Sequence, residues 1–489
     1  MIAAPRERAE ALWSLPPEQF NDWRAKHDFP RIVQFLKRYL PEFERWRDSQ
    51  GLDDQTLCDF GLGRFLRPRI FYEYIFPVDP HRSPSGRHFL NQDMDPALRS
   101  DIKSKRAIIP YFLWATAERV PLSRDIVALG MGMTGWRGEF GSGIMRASVF
   151  REVELLWLGG QTLPDMFQVG GRNLEFSSLD GLVLQGDVWN SQFVHLIGCS
   201  ARKLTVRARM AFVEAYQSNF EDLTIERARL QDWSFERCQV TGYIDASTLF
   251  RCRFFKGGFM PAISSTDLNQ CAFDFPIERA YEVGGARDFH GYALRQLSAC
   301  GRLAEAGEQA YQKKMLEIRM HANPVYYFGD EFPPKRVYNG SFSDLIGDWQ
   351  RGWWDNKKFR ELFFALVQYH LALLVSPRSI GRILKHWMES AALFLSWITW
   401  GFGERPWRVL TNAGLILIGS SVLYYLFGVP ATKGHIDGSL YFSIVTFTTL
   451  GYGDIYQLGW LRLVSAFEAL LGALGMGLLV SSLASRSRY

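Results

Sequence analysis

Residues 446–454 read Thr-Phe-Thr-Thr-Leu-Gly-Tyr-Gly-Asp, and apolar stretches of membrane-spanning length lie on both sides of them. Between Arg408 and Lys433 no residue carries a formal charge. About 20 helical residues, rising roughly 1.5 Å each, cover a hydrocarbon layer about 30 Å thick; Val409–Phe427 is such a run. The second stretch, from Leu463 to about Leu483, is equally long and holds one carboxylate, Glu468. Gly438–Phe447 lies between them, is too short to cross, and suits a re-entrant helix. Non-helical backbone at that depth is tolerated only where it lines a water-filled cavity or is buried in protein. Gly-Tyr-Gly-Asp alone is a common turn composition, but a turn in a soluble domain does not account for two such flanks.

The nonapeptide with its preceding helix resembles the selectivity filter of potassium channels, T-x-G-Y-G-D, the type case of ion selection by rings of backbone carbonyls. A potassium ion sheds its water only if oxygens replace it closely, because a bare charge in an apolar medium is very costly. Backbone carbonyls serve if successive ones face the same way, which requires alternating right- and left-handed dihedrals. Gly451 and Gly453 enter the left-handed region without a Cβ penalty. The carbonyls of Thr449, Leu450, Gly451 and Tyr452, with the Thr449 hydroxyl, are then the expected K+ sites, and K+ is the permeant ion rather than a cofactor.

The resemblance covers about Glu404–Ser485. Thr446 and Thr449 match the family's two threonines of pore helix and filter, and Asp454 the acidic residue at the outer mouth. Tyr441 and Phe442 fall where the family places aromatic rings behind the filter tyrosine, although Phe442 cannot donate a hydrogen bond. Val445 stands where some members carry a glutamate that pairs with the aspartate, and Leu450 replaces the commoner valine. Gly472 sits about where the family has its inner-helix gating glycine; close packing between membrane helices is the alternative. A carboxylate at membrane depth, Glu468, costs roughly 2.5–3.5 kcal/mol on insertion scales and is a functional candidate by default. We expect it behind the filter, protonated and held by Ser443 or Thr446; the other reading has it facing an aqueous cavity. One span–loop–span unit cannot enclose a pore, whereas four copies can, so the resemblance implies a closed homotetramer.

Arg405 and Arg408 precede the first span, Arg486 and Arg488 follow the second, and the connecting loop holds only Lys433 and Arg462 as positive residues. This bias places both termini in the cytoplasm of a prokaryotic-type inner membrane, within a lipid bilayer. The charged start, Met-Ile-Ala-Ala-Pro-Arg-Glu-Arg, lacks the apolar segment of a signal peptide.

The chain has 489 residues, 47% hydrophobic and 22% charged, with a formal net charge of +5. Its mean hydropathy of −0.10 excludes a many-span protein. Residues from roughly 170 to 275 carry a period of five: Leu174, Leu179, Leu184, then Val194, Cys199, Leu204; after a break Phe220, Ile225, Leu230, Phe235, Val240; then Ile244, Leu249, Phe254, Phe259; then Ile263, Leu268, Phe273. Neither a helix nor a strand produces that period. A quadrilateral β-solenoid does, each five-residue side sending one apolar residue inward. The tracks resemble pentapeptide-repeat proteins, with the small residue two places earlier largely lost except at Ala228. Four sides per coil give about five coils. With 12 acidic and 11 basic residues over 170–275, DNA mimicry by an acidic surface has no support, so no nucleic-acid partner is expected. The six cysteines (58, 199, 238, 252, 271, 300) lack metal-ligand spacing and read as reduced, buried thiols.

The expected fold class is therefore multidomain. Residues 1–130 form a region of mixed structure with an amphipathic helix over Arg31–Arg47 and a loop at Pro77–Arg87. A solenoid follows over 131–280, led in by the Gly-rich run 130–143. Residues 285–400 are helical, with a hairpin broken at Cys300–Arg302 that resembles a tetratricopeptide unit. Two membrane-proximal helices follow, about 359–375 and 379–400, packed in the cytoplasm or lying at the headgroup level with Trp387, Trp397, Trp400 and Trp407. The two-span α-helical pore occupies 404–485. His81, His88 and His290 read as isolated. No nucleophile–base pair, metal spacing or phosphate loop suggests an enzyme. There is no arginine-repeat helix, so any gating signal is expected to reach the pore from the N-terminal module and its unknown ligand or protein partner.

Overall fold

A computed structural model describes residues 5–67, 70–76, 87–90, 102–120, 154–188, 193–277, 283–323, 342–350, 356–375 and 377–486. The chain divides into two compact units, 1–292 with 332–370 and 293–331 with 371–489. The loop expected at Pro77–Arg87 falls almost wholly outside the described residues, as does the Gly-rich run 130–143.

In the first unit, parallel strands stack into a β-solenoid from Leu156 to Asp274. One column counts its coils: Leu163 pairs with Leu184, Leu184 with Val206, Val206 with Ile225, Ile225 with Ile244, and Ile244 with Ile263. That makes about six coils, one more than the tracks suggest. The inward residues Phe220, Ile225, Leu230, Phe235 and Val240 are all buried. Two places after each of them the backbone turns left-handed: Asp222 at φ +60°, Arg227 at +51°, Asp232 at +54°, Arg237 at +55° and Gly242 at +118°. A left-handed corner every fifth residue is what converts an apolar period of five into a coil.

The last two breaks between tracks have a simple cause. The sides from Val240 to Ile244 and from Phe259 to Ile263 are one residue short, so Leu249 pairs with Leu230 below and Leu268 above, each nineteen positions away. Gly242 lies at the first short corner, where a Cβ would stand 2.0 Å from the Leu223 carbonyl oxygen. The small residue two places before the inward position is kept at more sites than Ala228 alone. From Phe220 onward, Ser218, Ala228, Cys238, Ser247, Cys252 and Thr266 are all buried there, with Leu223 and Trp233 the large exceptions; in the first track Arg172 and Leu182 hold that place. The Thr266 hydroxyl and Cys271 thiol reach the carbonyls of Ile244 and Leu249 one coil below, each at 3.4 Å. Burial pushes the Cys199 and Cys238 thiols up to about 11 and about 12, so both stay protonated, and all six cysteines are free.

Ahead of the solenoid, six helices between Pro5 and Leu66, a three-stranded antiparallel sheet and the helix Tyr111–Ala117 enclose a core that includes Phe29, Ile32, Leu36, Trp46, Phe65 and Phe71. The single helix expected over Arg31–Arg47 is two, Phe29–Tyr39 and Phe43–Ser49. Pro41 explains the break: it holds Leu40 in an extended conformation (φ −92°, ψ 116°) and lacks the N–H that a helix interior needs. Arg67 ties this region to the solenoid through Glu214 and Glu236, at 2.7 and 2.6 Å. Elsewhere in this unit Leu345 of the helix Phe342–Gln350 packs on Leu362 and Leu366.

In the second unit the helix Leu303–Ala322 packs along Pro377–Trp400, so the expected hairpin finds its partner in a distant helix. Gly401–Gly403 then turns the chain ahead of the first long helix, with Phe402 at φ +60°. The helices Pro406–Phe427, Ile436–Phe447 and Leu461–Arg486 complete the unit. Among the described residues two helices are long and apolar enough to cross a membrane, Pro406–Phe427 and Leu461–Ala484, and only 17% and 11% of their apolar windows are buried. Bare apolar helices of this length need lipid or other chains around them.

Candidate functional site

The short helix Ile436–Phe447 packs against both long helices, which also pack on each other. Phe442 is buried and meets the ring of Tyr424 edge-on, centroids 4.9 Å apart at 81°, in a cluster with Leu461. Within the chain, Phe442 is thus a wedge between the short helix and the first long one. Tyr441, one position earlier, lies on the other face, and its hydroxyl donates to Asp454 Oδ2 at 2.8 Å. With Val445 at the position where some members of the resembled family carry a glutamate, Asp454 is held by a tyrosine instead.

The nonapeptide leaves the C-terminal end of this helix. Thr449, Gly451 and Gly453 have φ of +56°, +55° and +79°, while Leu450 and Tyr452 between them stay at negative φ. Left-handed residues at every second position are the condition under which successive carbonyls face one side. The sequence predicts that conformation for the two glycines; Thr449 is a third, and a β-branched residue there stores about 1–3 kcal/mol of strain. It is held in place locally. The Thr449 N–H donates to Thr446 O at 3.0 Å, its hydroxyl to Thr448 O at 2.7 Å, and the Leu450 N–H to Val445 O at 3.0 Å. The side chains of Leu450 and Tyr452 are exposed in the single chain.

Glu468 projects from the second long helix and is 2% exposed. Its Oε1 lies 2.5 Å from Ser443 Oγ, and its Oε2 accepts from the Tyr424 hydroxyl at 2.7 Å, with Ser420 also in hydrogen-bonding reach. Of the two hydroxyls expected from the sequence, Ser443 is the one that reaches it. Tyr424 and Ser420 come from the first long helix, 44 and 48 residues away, with no pattern to announce them. Gly472 is a contact point: a Cβ there would lie 1.8 Å from the carbonyl oxygen of Phe447, at the end of the short helix. Gly477, five residues on, has open space.

The bend ahead of the first long helix is a second knot of named contacts. Arg405 pairs with Glu308 at 2.6 Å and stands over the Tyr311 ring. Arg408 donates to the Trp397 carbonyl at 2.6 Å and to the Tyr311 hydroxyl at 3.2 Å, with its guanidinium 4.7 Å from the Trp397 ring centroid. Trp397 is therefore engaged with protein, while Trp387 and Trp407 stay exposed. Ser482, near the end of the second long helix, donates to the carbonyl of Gly403 at 2.8 Å. These contacts join the helix Leu303–Ala322, the bend and both long helices.

Residues 408–488 match a family model described as ion channel. The match takes in both long helices, the short helix and the nonapeptide, so this part of the chain is an ion channel domain in a membrane setting. No curated protein and no solved structure matches the chain.

Proposed function

We propose that the protein is a potassium-selective channel that conducts K+ passively as a homotetramer and is gated through the module preceding its pore. The observation that carries this reading is the left-handed backbone at Thr449, Gly451 and Gly453, alternating with Leu450 and Tyr452. In four copies around an axis, the carbonyls of residues 449–452 replace the hydration shell of a monovalent cation. Tyr441 and the last turn of the short helix, through Thr446, fasten the loop from behind. Glu468 acts as a neutral bracket between the three helices. Ser443 Oγ also lies 3.0 Å from the Leu417 carbonyl, and one hydroxyl proton cannot serve two acceptors. A protonated Glu468 that donates to Ser443 leaves that hydroxyl free to donate onward, and every group is satisfied.

The distribution of arginines supports an inner-membrane setting with both ends cytoplasmic. Gating reaches the pore through the contacts of Arg405, Arg408 and Ser482, which couple the preceding helices to both long ones. The second reading is a weakly selective cation channel, and the intact Gly-Tyr-Gly order argues against it. Reconstituted vesicles with opposed K+ and Na+ gradients test the choice: a reversal potential close to that of K+ is the expected result, and equal permeation overturns selectivity. A chain that stays monomeric in both detergent and lipid overturns the assembly. Removing residues 1–280 is expected to leave a conducting pore with an altered open probability; unchanged gating refutes control by the N-terminal module.

A further inference from the structure

Away from the nonapeptide, the described residues of the second unit include a cluster of ligand-type side chains that the channel reading does not use. His321 lies at the end of the helix Leu303–Ala322. His386 and Glu389 stand one turn apart on Pro377–Trp400, a spacing that puts them on one face. His321 Nδ1 is 2.8 Å from His386 Nδ1 and 3.1 Å from Glu389 Oε2, and His386 Nδ1 is 3.2 Å from the same oxygen. The two rings are stacked at 22°. All three residues are half-buried.

Hydrogen bonding serves this triangle badly. A neutral imidazole carries one N–H and one lone pair, and a single proton between the two Nδ1 atoms leaves at least one lone pair facing the Glu389 oxygen. If both rings become imidazolium, two N–H groups confront each other at 2.8 Å. A cation at the centre satisfies all three atoms at once. An ion about 2.0–2.2 Å from each donor subtends angles of roughly 85–100° at these separations, the facial arrangement of two histidines and one carboxylate that leaves further positions open to water. Two imidazoles and one oxygen favour borderline divalent ions over calcium or magnesium, which prefer all-oxygen sets. The competing cation is Lys385, whose ammonium is 3.9 Å from the other Glu389 oxygen on a mostly exposed side chain.

We infer that His321, His386 and Glu389 form a binding site for a divalent transition-metal ion of the zinc class, which clasps the helix Leu303–Ala322 to the helix Pro377–Trp400. The same two helices carry Glu308, Tyr311 and Trp397, the residues that hold Arg405 and Arg408. An ion at the triangle fixes the pair that feeds the bend ahead of the first long helix.

The test is metal binding to the full-length protein in detergent, stripped with a chelator and titrated with Co2+ and Zn2+. One ion per chain is expected, with visible Co2+ absorption that Zn2+ displaces and that excess Mg2+ leaves in place. His321→Gln and His386→Gln are each expected to weaken binding at least tenfold, and the double variant to abolish it. His27→Gln, in the other unit, leaves binding unchanged. Circular dichroism and elution volume report whether each variant folds, and His386→Cys, which restores a zinc ligand, is expected to recover Zn2+ binding. Wild-type affinity and stoichiometry in both histidine-to-glutamine variants would overturn the site, as would Mg2+ competing as well as Zn2+. The readout is binding rather than conduction, so its failure is separable from failure of the channel reading.

Discussion

The solenoid and the nonapeptide loop use the same backbone device at different intervals. In the solenoid a left-handed residue comes every fifth position, and the N–H groups there pair between coils: Arg227 donates to Asp245 O at 3.1 Å and Arg237 to Phe255 O at 2.8 Å. In the loop a left-handed residue comes every second position, at Thr449, Gly451 and Gly453. The wide interval bends a strand that remains hydrogen-bonded along its sides. The narrow one leaves no side long enough to pair, so the carbonyls stay available for something outside the chain. In the solenoid the strain at each corner is offset by ladder bonds and a buried apolar residue. In the loop the strain at Thr449 has only the last turn of the short helix to oppose it, and two of the three positions are glycine. Strained backbone can close a coil or leave carbonyls unpaired, and the spacing decides which.

The largest expected effect breaks this comparison on the loop side. Gly451→Ala meets no neighbouring atom in the single chain, so its cost is conformational alone. That cost is about 1–2 kcal/mol per residue, or roughly 4–8 kcal/mol over four subunits. K+ flux into reconstituted vesicles, or its preference over Na+, should fall more than tenfold. Flux and selectivity equal to wild type would mean the left-handed position is not needed for conduction.

Next in size is the contact at the end of the short helix. Gly472→Ala adds a methyl 1.8 Å from the Phe447 carbonyl oxygen, and overpacking of this kind costs about 1–3 kcal/mol or more. Gly477→Ala has no neighbour to meet and gains up to about 1 kcal/mol of helix propensity. Thermal dissociation of the assembly should show the first variant weakened and the second unchanged or firmer. The reverse order would restore Gly472 to the role of hinge and show that Gly477 is covered by another chain.

The bracket behind the loop comes third. Tyr424→Phe removes one donor from the buried Glu468, at a cost of about 1–3 kcal/mol. Glu468→Gln, which keeps an N–H for Ser443, should cost less by the same thermal assay. A larger loss from Glu468→Gln than from Tyr424→Phe would mean that the carboxylate is charged in the folded protein.

What could be read beforehand divides along similar lines. The inward residues Phe220, Ile225, Leu230, Phe235 and Val240 announce their period because burial demands apolar side chains. The corners do not, because Asp222, Arg227, Asp232 and Arg237 look like ordinary surface residues and only their backbone is unusual. The short sides at 240–244 and 259–263 were visible as breaks between tracks, but their meaning needed the register of the neighbouring coils. In the channel domain the nonapeptide and both long helices are legible because a membrane imposes length and apolarity. The partners are not: Tyr424 with Glu468, Tyr441 with Asp454, and His321 with His386 depend on helix faces that no sequence interval encodes. Pro41 was readable as a helix break, and the Arg31–Arg47 periodicity masked it.

The smallest expected effect tests the solenoid side of the comparison. Arg227 is exposed and left-handed, with φ +51°. Arg227→Gly relieves about 1–2 kcal/mol of left-handed strain, and glycine returns roughly 0.5–1 kcal/mol of that by adding freedom to the unfolded chain. The backbone bond from residue 227 to Asp245 survives the change. The net effect on solenoid unfolding, followed by circular dichroism in urea, should therefore lie between zero and about 1.5 kcal/mol, on the stabilising side. A clear destabilisation would mean that the arginine side chain itself secures the corner. The corner would then be a specified interaction rather than tolerated strain, and the two regions would differ in kind rather than in spacing.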